Sequence, residues 1–159
     1  MLRTLVTGVH AAGLFCVLGV LAWLSGEPFV FPSLGPTAFV LAFGGVEGAR
    51  RRVVGGHAIG AVAGFLAYTL LAGHAVLTAG FAPATVEGAR LAASGTLSVA
   101  LTAWGMLALD AVHPPACATT LIVSLGLLAT PFEVAIIVAS VGVLLGAHEL
   151  ANVYRKPET

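Results

Sequence analysis

The most chemically suggestive stretch of the sequence is His113-Pro114-Pro115, which Thr119 follows about one helical turn later. Backbone N–H groups at a helix N-terminus are unpaired and carry a partial positive charge, so they attract anions. Proline is favoured in that first turn, because its missing N–H would be unpaired there. The imidazole and the hydroxyl add donors, so we expect a site for a small anion or a polar oxygen-bearing solute. The alternative is a proline kink that neighbouring helices satisfy.

A second stretch, FPSLGPTAF at residues 31–39, repeats this arrangement. Pro32 opens it, Ser33 supplies a cap-like hydroxyl, Gly35 loosens the backbone and Thr37 adds another hydroxyl. The alternative is a plain proline-kinked helix. Because the two stretches occupy matching positions along the chain, we expect them to form one two-ended anion site.

Two further ionisable residues belong to this hypothesis. His57 lies about one turn into an apolar segment, where Gly55 and Gly56 leave space for its ring. Ionisable residues in membrane segments mark functional sites by default, although a histidine bonded to a backbone carbonyl is the alternative. Asp110 either orients the nearby His113 imidazole as a proton partner or is an interfacial charge.

The composition requires a lipid environment around these residues. Of 159 residues, 58% are hydrophobic and 9% are charged, and the mean hydropathy is +1.03. A soluble domain carries about a quarter charged residues. We therefore expect a single integral-membrane domain over residues 1–159. The net charge of zero argues against nucleic acid as a partner, which needs a basic patch.

Six apolar segments predict an all-α, polytopic helical bundle. They lie at residues 5–25, 33–46, 53–73, 88–109, 115–129 and 132–152. Four have the roughly 20 residues that a bilayer crossing needs, whereas the second and fifth are short and begin with proline. Long–short–long therefore occurs twice, which predicts half-repeats at 1–75 and 86–155. Three crossings in each half would make this 3+3 repeat inverted, as at many transporter sites.

Loop charges favour six crossings with both termini in the cytoplasm. Arg3, the run 50–52, Arg155 and Lys156 are then inside, and Arg90 alone is outside. Re-entrant short helices, the alternative, would weaken this bias. The arginine run is interpreted as a topology anchor that could also draw anions to a cytoplasmic mouth. No transit peptide is evident, so we expect a prokaryotic plasma membrane.

Enzymatic and metal-dependent functions lack the necessary patterns. There is neither a GxSxG nucleophile elbow nor an HExxH zinc pair, so we expect no enzyme and no cofactor. Cys16 and Cys117 lack metal-ligand spacing and are interpreted as buried small hydrophobic residues. Glycines spaced four apart, at 56, 60 and 64 and again at 142 and 146, predict close helix packing. A membrane domain this small is expected to form a homo-oligomer.

Three segments, in this order and spacing, resemble the HPP family of integral membrane proteins. HPPACATT is similar to its His-Pro-Pro signature, PSLGPTAFVLAF to an earlier segment and RRVVGGHAIGAVAG to its Arg-x-Val-x-Gly-Gly-His segment. The resemblance extends over about residues 5–155 and includes the last helix. It places the motif positions at His113, Pro114, Pro115, Ser33, Gly35, Gly56 and His57. Cys117 and Pro36 depart from the family pattern, and Cys117 would narrow the space at its helix start.

The resemblance implies a polytopic membrane protein, and members of the family are implicated in nitrite transport across chloroplast and cyanobacterial membranes. Together with the helix starts, it predicts a transporter or channel for a small inorganic anion, with nitrite favoured. The anion would meet the N-termini of the two short helices, with His57 and His113 as donors or proton partners. The alternative is a structural or assembly subunit of a membrane complex that has no transport activity.

Overall fold

The computed structural model describes residues 1–44 and 50–155, which form helices joined by short turns. The α-helices are α1 (Leu2–Ser25), α2 (Val30–Ala42), α3 (Arg50–Ala67), α4 (Val86–Ala108), α5 (Cys117–Ser124) and α6 (Pro131–Arg155). A π-helical turn, Tyr68–Ala72, continues α3, and 3-10 turns lie at Leu77–Ala79 and Pro114–Ala116. The predicted all-α class is confirmed.

The lengths of the helices separate them into two groups, as predicted. Four helices are long and apolar enough to cross a membrane: Leu2–Ser25, Arg50–Ala72, Val86–Ala108 and Pro131–Val153. The 13 residues of α2 extend only about 20 Å, against a hydrocarbon core of about 30 Å. With its 3-10 turn, α5 covers only Pro114–Ser124. Both short helices therefore need flanking chain to reach the membrane surfaces.

Large apolar side chains face outward on several sides of the bundle. Trp23 is 80% exposed, Trp104 66% and Phe132 74%. A soluble monomer rarely exposes apolar surface on this scale, because its contact with water is unfavourable. Inside, aliphatic side chains such as Leu18, Leu34 and Leu144 are completely buried. The outer surface is thus suited to lipid.

Contacts between helix ends fix the direction of the long helices. At one end of the bundle, Arg50 forms a salt bridge with Glu149 of α6, and Arg51 donates to the carbonyl of Leu109 at 3.0 Å. We call this the arginine end. These contacts place the start of α3 and the ends of α4 and α6 at this end. The start of α1 lies there too, because His10 of α1 contacts His148 of α6.

The short helices return the chain between the two ends. Both α1 and α3 run away from the arginine end, so the chain comes back through α2. After α4 returns to the arginine end, α5 leads away from it again. The chain after α5 meets the chain after α3 at the opposite end, because the N–H of Leu77 donates to the carbonyl of Leu125. The directions of α2 and α5 are opposite, as an inverted repeat requires, and the repeat itself stays a prediction.

Two helices end in Schellman motifs that shorten or redirect them. At the end of α5, the N–H of Leu127 donates to the carbonyl of Ile122, and that of Gly126 to Val123. Gly126 has a φ of +78°, and a Cβ there would lie 2.7 Å from the Tyr68 ring, so only glycine fits without rearrangement. Because of this motif, α5 stops at Ser124 rather than at the predicted 129.

A glycine stripe on α3 allows the second half of the bundle to approach closely. A Cβ on Gly60 would lie 2.6 Å from Oγ1 of Thr120, and one on Gly64 would lie 2.7 Å from the Thr120 carbonyl. The predicted packing role of this stripe is therefore confirmed, and its partner is α5. A Cβ on Gly142 or Gly146 of α6 would meet nothing within 4 Å, so these glycines pack against nothing in the described chain.

The interpretation of both cysteines as buried residues is wrong. Cys16 and Cys117 are free and exposed, on helix faces that point away from the bundle interior. Their small apolar side chains tolerate lipid as well as a protein core, so composition alone does not distinguish the two placements. The Cys117 thiol consequently does not narrow the interior at the start of α5.

Candidate functional site

A continuous chain of hydrogen-bonded side chains lies where α2, α3 and α5 meet. Nε2 of His113 is 3.0 Å from Oγ1 of Thr37, which is 2.8 Å from Nε2 of His57. Nδ1 of His57 is 2.6 Å from Oγ1 of Thr119, which is 2.7 Å from Oγ of Ser33. We call these five residues the polar chain.

The polar chain is buried and is built from residues of separate elements. Ser33, Thr37, His57 and Thr119 are 0% exposed, and His113 is 3% exposed. Ser33 and Thr37 are four residues apart in α2, so helical periodicity directs both toward α3 and α5. Five of the residues that the sequence predicted for the site are thus brought together. Thr37 joins the two histidines, whose ring centroids are 5.3 Å apart.

Gly56 and the prolines position His113. A Cβ on Gly56 would lie 2.7 Å from Cβ of His113 and 3.2 Å from the Ala111 carbonyl. The segment before α5 therefore packs directly on α3 because residue 56 is glycine. Pro114 and Pro115 form the 3-10 turn that leads from His113 into α5.

Two predicted site residues lie away from the polar chain. A Cβ on Gly35 would touch the Phe15 ring of α1 at 3.4 Å, so this glycine faces α1. Asp110 is exposed and forms no hydrogen bond with His113. It occupies the left-handed position after α4 with a φ of +49°, in a Schellman motif closed by the Ala111 N–H on the Met106 carbonyl. As placed here, Asp110 is a helix-ending residue and does not orient His113.

Backbone donors at the starts of the short helices are already in use. The N–H groups of Val30, Phe31 and Ser33 donate to the carbonyls of residues 27, 28 and 29. At the other start, the Ala116 N–H donates to the His113 carbonyl, and the Cys117 N–H donates within the same turn. The prediction that free N–H groups meet an anion at these starts is therefore revised: the donors at this level are side chains.

The two ends of the polar chain differ in access. In the described residues, no buried side-chain nitrogen or oxygen lacks a hydrogen-bond partner. Nδ1 of His113 has no hydrogen-bond partner in the described residues. This nitrogen is therefore not fully buried and belongs to the small exposed part of His113. Ser33 at the other end is completely buried, and Thr119 is its partner. Because α2 runs toward the arginine end, Thr37 lies about 6 Å nearer to that end than Ser33 does.

Sequence reasoning missed a second set of buried hydroxyls on α4. Oγ1 of Thr102 lies 3.0 Å from Oγ1 of Thr120, and Oγ of Ser94 donates to the Ser124 carbonyl at 2.7 Å. Ser94, Ser98 and Thr102 recur every four residues, which places them on one face of α4. That spacing is the signal that could have identified them. Thr102 and Ser94 attach α5 to α4 beside the polar chain, whereas Ser98 donates to the Gly95 carbonyl of its own helix.

Charges of opposite sign mark the two ends of the bundle. Arg51 and Arg52 are exposed at the arginine end. At the opposite end, burial raises the pKa of Glu27 above its ordinary value, and the nearby carboxylate of Glu133 raises it further. Arg51 and Arg52 would therefore attract an anion to the arginine end, whereas the opposite end carries these carboxylates together with the exposed Arg90. No cluster of three or more metal-ligating side chains occurs within residues 1–44 and 50–155.

These observations define a class of protein and then a family. A bundle with four candidate membrane spans and a buried polar interior is a polytopic membrane protein. A family model described as the HPP transmembrane region matches residues 1–156, and the chain therefore belongs to the HPP family. No curated protein and no solved structure matches the chain.

Proposed function

We propose that this HPP protein transports a small inorganic anion, nitrite being favoured, through the region where α2, α3 and α5 meet. The polar chain is the observation that carries the proposal. Buried polar groups in a membrane bundle are expensive and are typical of transport pathways. Membership in a membrane family, together with the apolar outer surface, supports a transport-related role.

The side chains of the polar chain provide suitable donors for such an anion. Hydroxyls of Ser33, Thr37 and Thr119 each hold one proton, and each neutral imidazole holds one N–H. An anion that accepts a hydrogen bond from the Ser33 hydroxyl would leave the other hydrogen bonds of the chain in place, so the remaining donors stay satisfied. The chain is closed in this structure, because its members are 0–3% exposed. Transport therefore includes a step that admits the anion to Ser33.

The proposal also includes the orientation and assembly expected from the sequence. We place the arginine end in the cytoplasm of a prokaryote, with both termini on that side, following the positive-inside rule. Arg51 and Arg52 then raise the local concentration of anions at this mouth. A homo-oligomer would cover the open glycine positions 142 and 146 on α6.

Uptake by purified protein in proteoliposomes tests the proposal. Vesicles are given equal inward gradients of nitrite, nitrate, formate or chloride, and the internal anion is measured over time. We expect nitrite uptake above that of protein-free vesicles for wild type, and none above that level for the His57→Ala variant. If none of the four anions enters faster than in protein-free vesicles, the transport proposal is wrong.

The second candidate function is a structural or assembly subunit, and the outer face of α6 favours it. Gly142 and Gly146 leave a helix face on which another backbone could pack closely. Purification in mild detergent distinguishes the two functions. Protein that is stable only when co-purified with a different membrane chain would favour assembly, whereas a stable oligomer of this chain alone would favour transport.

A further inference from the structure

We propose that the polar chain is a proton relay that delivers one proton from the arginine end to the transported anion. The inference rests on the proposed function only for the identity of the final proton acceptor, a weak-acid anion such as nitrite. The four hydrogen bonds of the polar chain are 2.6–3.0 Å long, within the range for proton transfer between oxygen and nitrogen. They form one unbranched path through five side chains.

The hydroxyls of the polar chain differ from others in the same bundle. Thr69, Thr96 and Ser98 each donate to a backbone carbonyl in their own helix, which fixes the direction of the hydroxyl proton. The partners of Thr37 and Thr119 are instead side chains that can either donate or accept. Each hydroxyl can therefore point its proton either way along the chain.

The imidazole of His57 couples the two halves of this path. A neutral ring has one N–H and one acceptor nitrogen, and both of its nitrogens bond to hydroxyls. If Nδ1 donates to Thr119, then Nε2 accepts from Thr37; in the other tautomer, both bonds reverse. The chain consequently has two complete arrangements in which every hydrogen bond is retained.

One transfer converts the first arrangement into the second. A hydrated proton from the arginine end binds Nδ1 of His113 while the Nε2 proton passes to Thr37, whose own proton passes to Nε2 of His57. The Nδ1 proton of His57 then passes to Thr119, and the proton of Thr119 passes to Ser33. Ser33 gives its original proton to the anion, which leaves as the neutral acid. One proton enters, one leaves, and no side chain of the chain stays charged.

The access at the two ends agrees with this direction. Nδ1 of His113, the proposed entrance, is the partly exposed nitrogen, and Ser33 lies further from the arginine end. On α6, which packs against α3, Glu149 binds Arg50, and His148 binds His10 and Asn152. In the described part of the chain, no carboxylate, lysine or arginine forms a hydrogen bond with the polar chain, so no fixed charge holds its proton.

Paired threonine variants separate a relay from a structural clamp. Thr119 and Thr120 are adjacent and both completely buried, but only Thr119 belongs to the polar chain. Thr→Val preserves the shape and removes the hydroxyl. Wild-type protein, Thr119→Val, Thr119→Ser and Thr120→Val are reconstituted with a pH-sensitive dye inside the vesicles. Proton and nitrite uptake are recorded at alkaline pH, where little nitrous acid crosses the lipid, with the membrane potential clamped.

We expect wild type, Thr119→Ser and Thr120→Val to take up protons together with nitrite, and Thr119→Val to fall to the level of protein-free vesicles. The relay is overturned if wild type takes up nitrite without protons, or if proton uptake by Thr119→Val equals that of Thr120→Val. Nitrite-independent proton uptake that Thr119→Val abolishes would overturn the anion proposal and leave the relay standing. Recovery in Thr119→Ser assigns the loss to the missing hydroxyl, and thermal unfolding of Thr119→Val in detergent shows that the variant is folded.

Discussion

The bundle contains two histidine pairs of nearly equal separation in very different settings. The rings of His57 and His113 lie 5.3 Å apart at the meeting of α2, α3 and α5. Those of His10 and His148 lie 5.1 Å apart between α1 and α6. The inner pair communicates through the hydroxyl of Thr37, whereas the outer rings bond to each other directly at 3.0 Å.

The surroundings of the two pairs explain why we assign function to one of them. The inner rings extend into a path of hydroxyls that is closed to lipid. The outer pair borders an open groove of about 570 Å³ that apolar side chains line, and Asn152 bonds to His148 at 2.9 Å. Histidine alone therefore does not mark the site. What distinguishes the inner pair is that both nitrogens of His57 have exchangeable hydroxyl partners.

The largest expected loss of stability comes from removing one histidine ring of a pair, His57 of the inner pair or His10 of the outer pair. His57→Ala leaves the hydroxyls of Thr37 and Thr119 without that partner and creates a cavity, so we expect a loss of about 3–5 kcal/mol of unfolding free energy. His10→Ala should cost less, because its ring borders the open groove. Thermal unfolding in detergent of both variants measures the difference. Equal losses would contradict the distinction between the two pairs.

Glycine substitutions compare the packing of α3 against α5, beside the inner pair, with the packing of α6, which carries one ring of the outer pair. On Gly64, a Cβ would lie 2.7 Å from the Thr120 carbonyl and 2.9 Å from Cβ of Val123, so Gly64→Ala should cost about 1–3 kcal/mol through overpacking. Gly146→Ala meets nothing within 4 Å and should gain up to about 1 kcal/mol in helix propensity. Denaturant unfolding tests both.

The oligomeric state provides the control for the second substitution. If Gly146 packs against another copy, Gly146→Ala will shift the protein toward smaller species in size-exclusion chromatography with light scattering. A stabilised protein of unchanged size would instead place this glycine against lipid. Gly64→Ala should not alter the oligomeric state, because residue 64 packs against α5 of its own chain.

A smaller loss of stability is expected at Ser33, the buried end of the polar chain, and at Asn152, which bonds to His148 of the outer pair. Ser33→Ala removes the hydrogen bond of Ser33 with Thr119 and should cost about 1 kcal/mol, while nitrite uptake falls to the level of protein-free vesicles because the last donor of the relay is gone. Asn152→Ala removes the hydrogen bond with His148 and should cost a similar amount without slowing uptake. Parallel stability and uptake measurements on the two variants separate function from stability. Equal uptake by both would remove Ser33 from the pathway.

The smallest effect is expected at Asp110, which is close to His113 in sequence but outside the polar chain. Asp110→Gly suits the left-handed conformation after α4, so the stability should stay within about 1 kcal/mol of wild type. Nitrite uptake should be unchanged. A marked loss of uptake would restore Asp110 as the proton partner of His113 and would extend the polar chain to the surface.

The sequence predicted the helices and the members of the polar chain well. Apolar length identified four long helices. The prolines marked the two short ones only approximately, because α2 begins at Val30, two residues before Pro32, and α5 begins at Cys117, after the 3-10 turn of Pro114 and Pro115. Ser33, Thr37, His57, His113 and Thr119 were recognisable because polar residues are costly in lipid, so each one required a partner. Their assembly into one unbranched chain was not predictable, since it depends on how α2, α3 and α5 rotate against one another.

Local backbone geometry accounts for the predictions that needed revision. Free N–H groups were expected at the starts of α2 and α5, but tight turns bring nearby carbonyls onto them. For Asp110 the sequence left two alternatives, a partner of His113 or an interfacial charge, and the Schellman motif turns it outward. Such turns depend on single φ angles, which hydropathy and residue spacing do not report. The hydroxyl stripe on α4 was missed although its spacing was visible.

The central claim is that the inner polar chain, and not the outer histidine pair, is the transport pathway. Nitrite uptake by proteoliposomes that contain wild type, His57→Ala or His10→Ala, matched for the amount of folded protein, tests it most directly. We predict that His10→Ala takes up nitrite like wild type and that His57→Ala takes up no more than protein-free vesicles. Wild-type uptake by His57→Ala, or loss of uptake in His10→Ala alone, would contradict the claim.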